Sequence, residues 1–453
     1  MENCIVSKFG GSSLANAEQI KKVRDIAASD PDRKYIIVSA PGKDDEDDFK
    51  VTDHLINVAM EGKHLSSPGI MVTSKDSFNA VINKFKKIIT ELNIDGEEII
   101  KGLTKDLNLA LPEPKRKDFL ASRGEHYNAK IISAYFTKSG INSEVKLPED
   151  IGLIVTENFG NAKVIPVSYK NLKKNTSCQG VSIIPGFYGI TESKDIAVFS
   201  RGGSDLTGGE IAYAMNASLY ENWSDIDGIY QADPRIIKKA RVIPRLTYKE
   251  IRLLASKGFN VFHYDAMVRC KKKGIPINIR NTNNPSAEGT MIVAQRVPEE
   301  TTVGIARMDN IAYLYLEKDG SQEIIGFVYR VLNIMKDYGI ETYHYPTDRD
   351  DVAVIMNQDD LIGCEDDITE TIKKELDPDN MEFFYNLSII SPVGIGMRYD
   401  PGVIAEAALA MKNNNINIEI IDQGPAQISF HLGIQSYYAD NALNALYDRL
   451  IVQ

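Results

Sequence analysis

A chain of 453 residues, 43% hydrophobic and 25% charged, predicts two or three domains with ample core. Its formal net charge of −11 argues against nucleic-acid and membrane-surface roles, which ask for a basic footprint, so an anionic substrate requires a locally basic pocket. No apolar run of about 18 residues is present, and the N-terminus enters a strand without a leader-like segment, which together predict a cytoplasmic protein.

The first element is a strand, Cys4 to Phe9, that opens into Gly10-Gly11-Ser12-Ser13 and then an amphipathic helix over Ala17 to Ala28. This layout brings backbone N–H groups and the positive end of a helix dipole to one point, which suits phosphate, and Lys8 adds a mobile positive charge. The spacing matches neither Walker A nor Gly-x-Gly-x-x-Gly, so by itself the turn reads more often as an ordinary turn. A buried strand over Lys34 to Ala40 completes a βαβ unit, hence a parallel sheet with ligands beyond the carboxyl ends of its strands, where Ser39 lies. The acidic run Asp44 to Asp48 reads as a solvated loop, and Val51 to Met60 as a helix capped by Thr52 or Asp53.

Helices are expected near Ser77 to Asn93, Gly96 to Leu109 and Arg123 to Thr137. Lys115-Arg116-Lys117 reads as a charged loop between helices. Ser122-Arg123-Gly124-Glu125 reads as a helix start, with ordinary charge decoration favoured over a grip on both charged groups of an amino acid. Short strands follow at Ser143 to Leu147, Ile151 to Val155, Lys163 to Val167 and Ser182 to Tyr188. The strand Ile196 to Ser200 then opens into Arg201-Gly202-Gly203-Ser204-Asp205 ahead of a helix over Thr207 to Met215, a second anion-ready helix start. Together the two loops offer one place for a transferred phosphoryl group and one for its acceptor, with Arg201 pairing a carboxylate and Asp205 orienting a cation or an ammonium. A third stretch, the strand from Leu219, ends at Ser224 and Asp225, and Asp227-Gly228 turns the chain to present Tyr230 and Arg235. Trp223 reads as packed at a strand end rather than stacked on a base. Ile275 to Thr282 supplies the last strand of this region.

Taken in this order, Lys8 to Ser13, Val38 to Ala40 with Gly42 and Thr52, Gly124-Glu125, Ser200 to Asp205, Ser224 to Arg235 and Arg280 to Thr290 resemble the aspartate kinases of the amino-acid kinase superfamily. The resemblance implies an α/β amino-acid kinase fold, a mostly parallel central sheet sandwiched by helices, over residues 1–300. It implies that Lys8, Gly10, Gly11 and Ser12 line the ATP phosphates and that Ser39 and Thr52 lie near phosphates and acceptor. It further implies that Glu125, Arg201, Gly202 and Ser204 hold L-aspartate, that Ser224, Asp225, Tyr230 and Arg235 hold the nucleotide, and that Asp205 organises Lys8 and the Mg²⁺-bound phosphates. No side chain is assigned as a metal ligand. The chain departs from the family at Asn260 and Tyr264, where a lysine and a proline are usual, and Lys257 is the nearby substitute for the missing nucleotide contact.

The chemistry agrees with this resemblance. An aspartate β-carboxylate, with a pKa of about 3.9, is already ionised at neutral pH, so no general base is needed. The enzyme must instead bring two anions together and neutralise charge as the phosphoryl group moves, work suited to Lys8, Arg201, Mg²⁺ and helix-start amides. His54, His64, His126, His263, His344 and His431 are therefore expected in structural or surface roles. Cys4, Cys178, Cys270 and Cys364 are too scattered for a disulfide framework or zinc spacing and are expected as buried or free thiols.

From about Thr301 the pattern becomes strand, helix, strand, strand, helix, twice over, with boundaries at 301–385 and 386–453, the first copy open to completion by the C-terminal segment. This internal repeat resembles paired α+β, ferredoxin-like ACT domains, implying a regulatory amino acid and a homodimer formed through them, with a tetramer as the larger alternative. Gln322, Ile324, Ile325, Glu341 and Tyr345 occupy the expected effector region; lysine is the first choice and threonine the second, because Tyr343 stands where some lysine-regulated relatives carry an acid. The implied activity is a monofunctional aspartate kinase opening the route to lysine, including diaminopimelate, threonine and methionine. The alternatives are another acyl-phosphate kinase, acting on glutamate or N-acetylglutamate, and an inactive amino-acid sensor.

Overall fold

The computed structural model describes residues 3–43, 49–67, 70–200, 202–255, 264–321 and 326–452. They form two compact units, one of residues 1–229, 242–248 and 260–296, the other of residues 230–241, 249–259 and 297–453.

In the first unit β1 (Ile5–Phe9), β2 (Arg33–Val38), β3 (Ser143–Val145), β4 (Val181–Pro185), β5 (Leu219–Ser224), β6 (Arg245–Thr247), β7 (Ile277–Asn281) and β8 (Thr290–Val293) form one sheet in the order β6-β8-β7-β5-β1-β2-β4-β3. All its pairings are parallel except β7 with β8. The central strands are near-continuous apolar runs because both faces are covered: every residue of β1 is buried, as are Ile36, Ile37 and Val38 of β2. Helix α1 (Ala17–Ala28) matches its predicted bounds, since Ala17, Ile20, Val23, Ile26 and Ala27 make one buried stripe and Asn16 caps it through Gln19 N–H. Helix α2 (Val51–Ala59) is capped by the backbone at Lys50, not by the side chain of Thr52 or Asp53.

Helix α3 (Lys115–Lys138) overturns two expectations. Lys115, Arg116 and Lys117 are its first turn rather than a connecting loop, and Ser122 to Glu125 lie in its interior rather than at a start. The reason is packing: Leu120, Ala121, Tyr127, Ala129, Ile131 and Ile132 are buried on more than one side, so the helix carries no polar stripe that would betray its beginning. Two expected strands are also absent as such. Residues 148–151 form a helical turn opened by Pro148, Ile154 and Val155 make only single bridges, and Val167–Asn175 is a helix. Helix α4 (Gly203–Met215) begins four residues before Thr207. Among the described residues no helix is long and apolar enough to cross a membrane.

In the second unit β9 (Gly304–Glu317), β10 (Thr342–His344), β11 (Asp351–Asn357), β12 (Asn380–Val393), β13 (Ile420–Gln423) and β14 (Phe430–Gln435) make an antiparallel sheet in the order β10-β11-β9-β12-β14-β13. The two sequence repeats share its central strands: β9 and β12 are each 14 residues long, and both are interrupted by a left-handed asparagine, Asn310 (φ 62°) and Asn386 (φ 57°). Helices α5 (Phe327–Asp337) and α6 (Glu365–Leu376) cover one core with Leu314, Leu316, Val352 and Val354. Helices α7 (Val403–Asn413) and α8 (Ala439–Tyr447) cover another with Ile390, Phe430, Leu432 and Ile434. Ala232 and Ile237, from the segment 230–241, are buried in that second core.

Candidate active site

The carboxyl ends of β5, β1, β2 and β4 stand side by side in the first unit, and backbone contacts weld the loops that leave them. Gly10 N–H donates to Trp223 O at 3.0 Å, Ser39 N–H to Phe9 O at 3.3 Å, Gly42 N–H to Gly11 O at 2.9 Å and Gly186 N–H to Val38 O at 2.9 Å. The approach of Gly42 to Gly11 is too close for any side chain, because a Cβ on Gly42 would lie 2.6 Å from both C and O of Gly11. Ser13 is not exposed to a ligand; its hydroxyl is buried against Thr282 Oγ1 at 2.7 Å and braces the turn. Ser12 is the exposed hydroxyl of that turn, and Gly10 and Gly11 line its backbone.

Lys8, at the end of β1, is nearly buried and pairs with Asp205 Oδ1 at 2.5 Å. Asp205 sits in the first turn of α4 and also accepts from Asn222 Nδ2 at 2.8 Å, so its carboxylate is held by two adjacent strands. The two helix starts differ. The N–H groups of α1 are capped by Asn16 and separated from Gly11 by the 3₁₀ turn Ser12–Leu14, whereas α4 opens at Gly202 (φ 76°) without a side-chain cap. The dipole offered to an anion is therefore that of α4. Ser204 packs over Gly186, where a Cβ would lie 2.7 Å from its own. Arg201 and Lys257 lie outside the described residues.

Glu125 projects from the middle of α3, where Gly124 lets the helix approach the loop after β2: a Cβ there would come within 2.6 Å of Ala40 Cβ. Its carboxyl is fully buried and Oε2 has no hydrogen-bond partner. Burial pushes its pKa up to about 8, against the opposing pull of the Ala40 and Glu125 backbone amides. Arg123, two residues earlier, does not face a ligand; it is buried and paired with Asp106 at 3.1 Å. Ser39 and Thr52 are half-buried, Ser39 beside Asn128 Nδ2, which donates to its carbonyl at 2.7 Å.

At the end of β5 the Ser224 hydroxyl is buried without a partner, and Asp225 beyond it is exposed. Trp223 is packed, as expected: it stacks on Phe9 with centroids 5.8 Å apart and donates to Glu221 Oε2 at 3.0 Å. Sequence reasoning missed the buried network beneath it. Burial works to raise the Glu221 pKa, but hydrogen bonds from Arg33, Ser7 and Trp223 outweigh it and hold the carboxyl below its ordinary value. This rigid base under β1 and β5 carries Lys8 and Ser224 on its rim. Tyr230 and Arg235 belong to the second unit, where Arg235 is exposed and paired with Asp233 at 2.7 Å. Of the expected effector residues, Glu341 and Tyr345 are exposed on either side of β10, and Gln322, Ile324 and Ile325 lie outside the described residues.

The arrangement, a lysine–aspartate pair at an uncapped helix start, with an unsatisfied buried carboxyl on helix α3 and an unsatisfied buried hydroxyl at the end of β5, suits phosphoryl transfer onto a small zwitterion. Residues 3–281 match the amino acid kinase family and residues 390–450 an ACT domain. The chain is 38% identical to aspartokinase 3 of Bacillus subtilis (strain 168) over 449 residues, 98% of this chain and 97% of that one. The crystal structure of Clostridium acetobutylicum aspartate kinase matches with a TM-score of 0.86 at 35% identity, covering 99% of this chain and 100% of that one. E. coli aspartokinase III, solved with lysine and aspartate, shares the fold at a TM-score of 0.77 and 21% identity, covering 99% of this chain and 100% of that one. The chain belongs to the aspartokinase family: it is an ATP-dependent kinase with an amino acid kinase domain followed by an ACT regulatory region.

Proposed function

We propose that the protein transfers the γ-phosphoryl group of ATP to the β-carboxylate of L-aspartate, giving 4-phospho-L-aspartate and ADP. The observation that carries the choice of substrate is Glu125, whose buried Oε2 lacks a partner. A substrate ammonium would supply that partner and turn a buried acid into a charge-assisted pair. Lys8 and the amides opening α4 would hold the transferring phosphoryl group, with Ser204 and Arg201 on the acceptor and Ser224 on the nucleotide. Mg²⁺ supplies neutralisation of phosphate charge when bound. Asp205, already anchored by Lys8 and Asn222, fits an ion that keeps most of its ligands on phosphate and water.

The C-terminal repeat is the proposed seat of an amino-acid effector, lysine before threonine, and of a homodimer, within a cytoplasmic enzyme opening amino-acid biosynthesis. Division at residues 300 and 385 is part of the same proposal. The test is ADP release from Mg-ATP with L-aspartate, repeated with glutamate and N-acetylglutamate and with added lysine or threonine. Turnover on aspartate, suppressed by one effector, supports the proposal. Turnover on glutamate alone, or none on any acceptor, refutes it.

A further inference from the structure

We propose that His344, Asp422 and His431 form a site for a divalent transition-metal ion, with zinc the best match, in the regulatory unit. Strands β10 and β13 are at opposite ends of the six-stranded sheet. Nevertheless His344 Nδ1 of β10 lies 3.0 Å from Asp422 Oδ2 of β13, and the rings of His344 and His431 are centred 4.4 Å apart. The sheet therefore curls until its edges meet. The curl is built into β9 and β12, where the register slips near Met308 and Ile311 and where Asn310 and Asn386 take left-handed conformations. Ile311, Ile355, Leu387 and Ile389 fill the inside.

One ligand atom from each of the three residues lies within 4.8 Å of the others. Asp422 and His431 are direct cross-strand partners, so their separation is set by the ladder, and His344 is delivered by the opposite edge. Two imidazoles and one carboxylate are a transition-metal donor set; magnesium and calcium would ask for oxygen ligands instead. In tetrahedral geometry, metal–ligand bonds of about 2.0–2.2 Å place neighbouring donors about 3.3–3.6 Å apart, so the 3.0 Å His344–Asp422 pair has to open by only a few tenths of an ångström to admit the ion. His431 is buried and its Nδ1 meets Ser391 Oγ at 2.7 Å. With Nδ1–H donating to that hydroxyl, the lone pair of His431 resides on Nε2, the outer-shell support typical of a ligating imidazole. The side chains of His344 and Asp422 are 19% and 33% exposed, which leaves an entry path on one side. A bound ion would clip β10 to β13 and fix the curl of the sheet.

The test uses the full chain, stripped with EDTA and free of nucleotide, titrated calorimetrically with ZnCl₂ and followed in parallel by the visible absorption of Co²⁺. One ion per chain is expected, accompanied by a rise in Tm. His344→Ala and Asp422→Asn, both partly exposed, are expected to weaken binding at least 100-fold and to abolish the Tm rise, and Ser391→Ala to weaken it about tenfold. A triple Cys4→Ser, Cys178→Ser, Cys364→Ser variant is expected to bind as the wild type does. Absence of saturable binding overturns the proposal, as does wild-type affinity in either His344→Ala or Asp422→Asn.

Discussion

Replacing Glu125 by glutamine separates what this residue does for the substrate from what it costs the fold. With a pKa raised to about 8, the free enzyme carries the ionised carboxylate in about 1% of molecules at pH 6, about 9% at pH 7 and about half at pH 8. If the ammonium of aspartate binds the ionised form, kcat/KM at low aspartate rises about 50-fold from pH 6 to pH 8 and levels off above. Glutamine keeps the shape but cannot ionise. Glu125→Gln is expected to lower kcat/KM at pH 8 by about 10- to 100-fold, the scale of a hydrogen bond to a charged group, and to flatten the pH dependence. The stability effect has the opposite sign. Because the folded pKa exceeds the ordinary 4.5, the folded state holds more protons than the unfolded one between pH 4.5 and about 8, so this group's stabilisation is complete below 4.5 and falls as pH rises to about 8. By pH 7 the loss is about 3 kcal/mol, which Glu125→Gln does not suffer, so the variant should unfold at higher denaturant than wild type without substrate. Steady-state kinetics from pH 6 to 8.5 and urea melts of both proteins test this. A variant with wild-type KM for aspartate and an unchanged pH profile would refute the reasoning.

Lys8→Ala leaves Asp205 anchored by Asn222 but removes the cation at the end of β1, and should reduce kcat by about 10³-fold or more while circular dichroism stays unchanged; near-normal turnover would remove Lys8 from the mechanism. Ser224→Ala deletes a buried hydroxyl that has no protein partner, so it should leave Tm unchanged or slightly raised while raising KM for ATP severalfold. A fall in Tm with no change in KM would show that its role is structural. Gly42→Ala drives a methyl into the Gly11 backbone and should cost about 1–3 kcal/mol and raise KM for ATP as the two loops part, a result measured by urea melts and initial rates.

Local chemistry made the frame of this protein readable from its residues. Strand-sized apolar runs ending in small or polar residues located β1, β2 and β5, and the stripe of α1 with its Asn16 cap set both ends of that helix, because each signal is complete within one element. The same holds for Lys8, Asp205 and Ser224, which lie at strand ends or the first turn of a helix, where side chains are delivered to a sheet edge whatever surrounds them. Helix α3 is buried around most of its circumference, so no amphipathic pattern marks its start, and Glu125, which reads locally as part of a helix start, lies within the helix. Which helix start is open was also invisible, because it depends on whether Asn16 turns its side chain onto Gln19. Only tertiary structure decided the rest. The buried Glu221–Arg33 pair joins residues 188 apart, and the meeting of His344, Asp422 and His431 requires a sheet to curl from edge to edge. Such contacts are set by how strands bend and stack, a property of the whole sheet that no stretch of sequence carries alone.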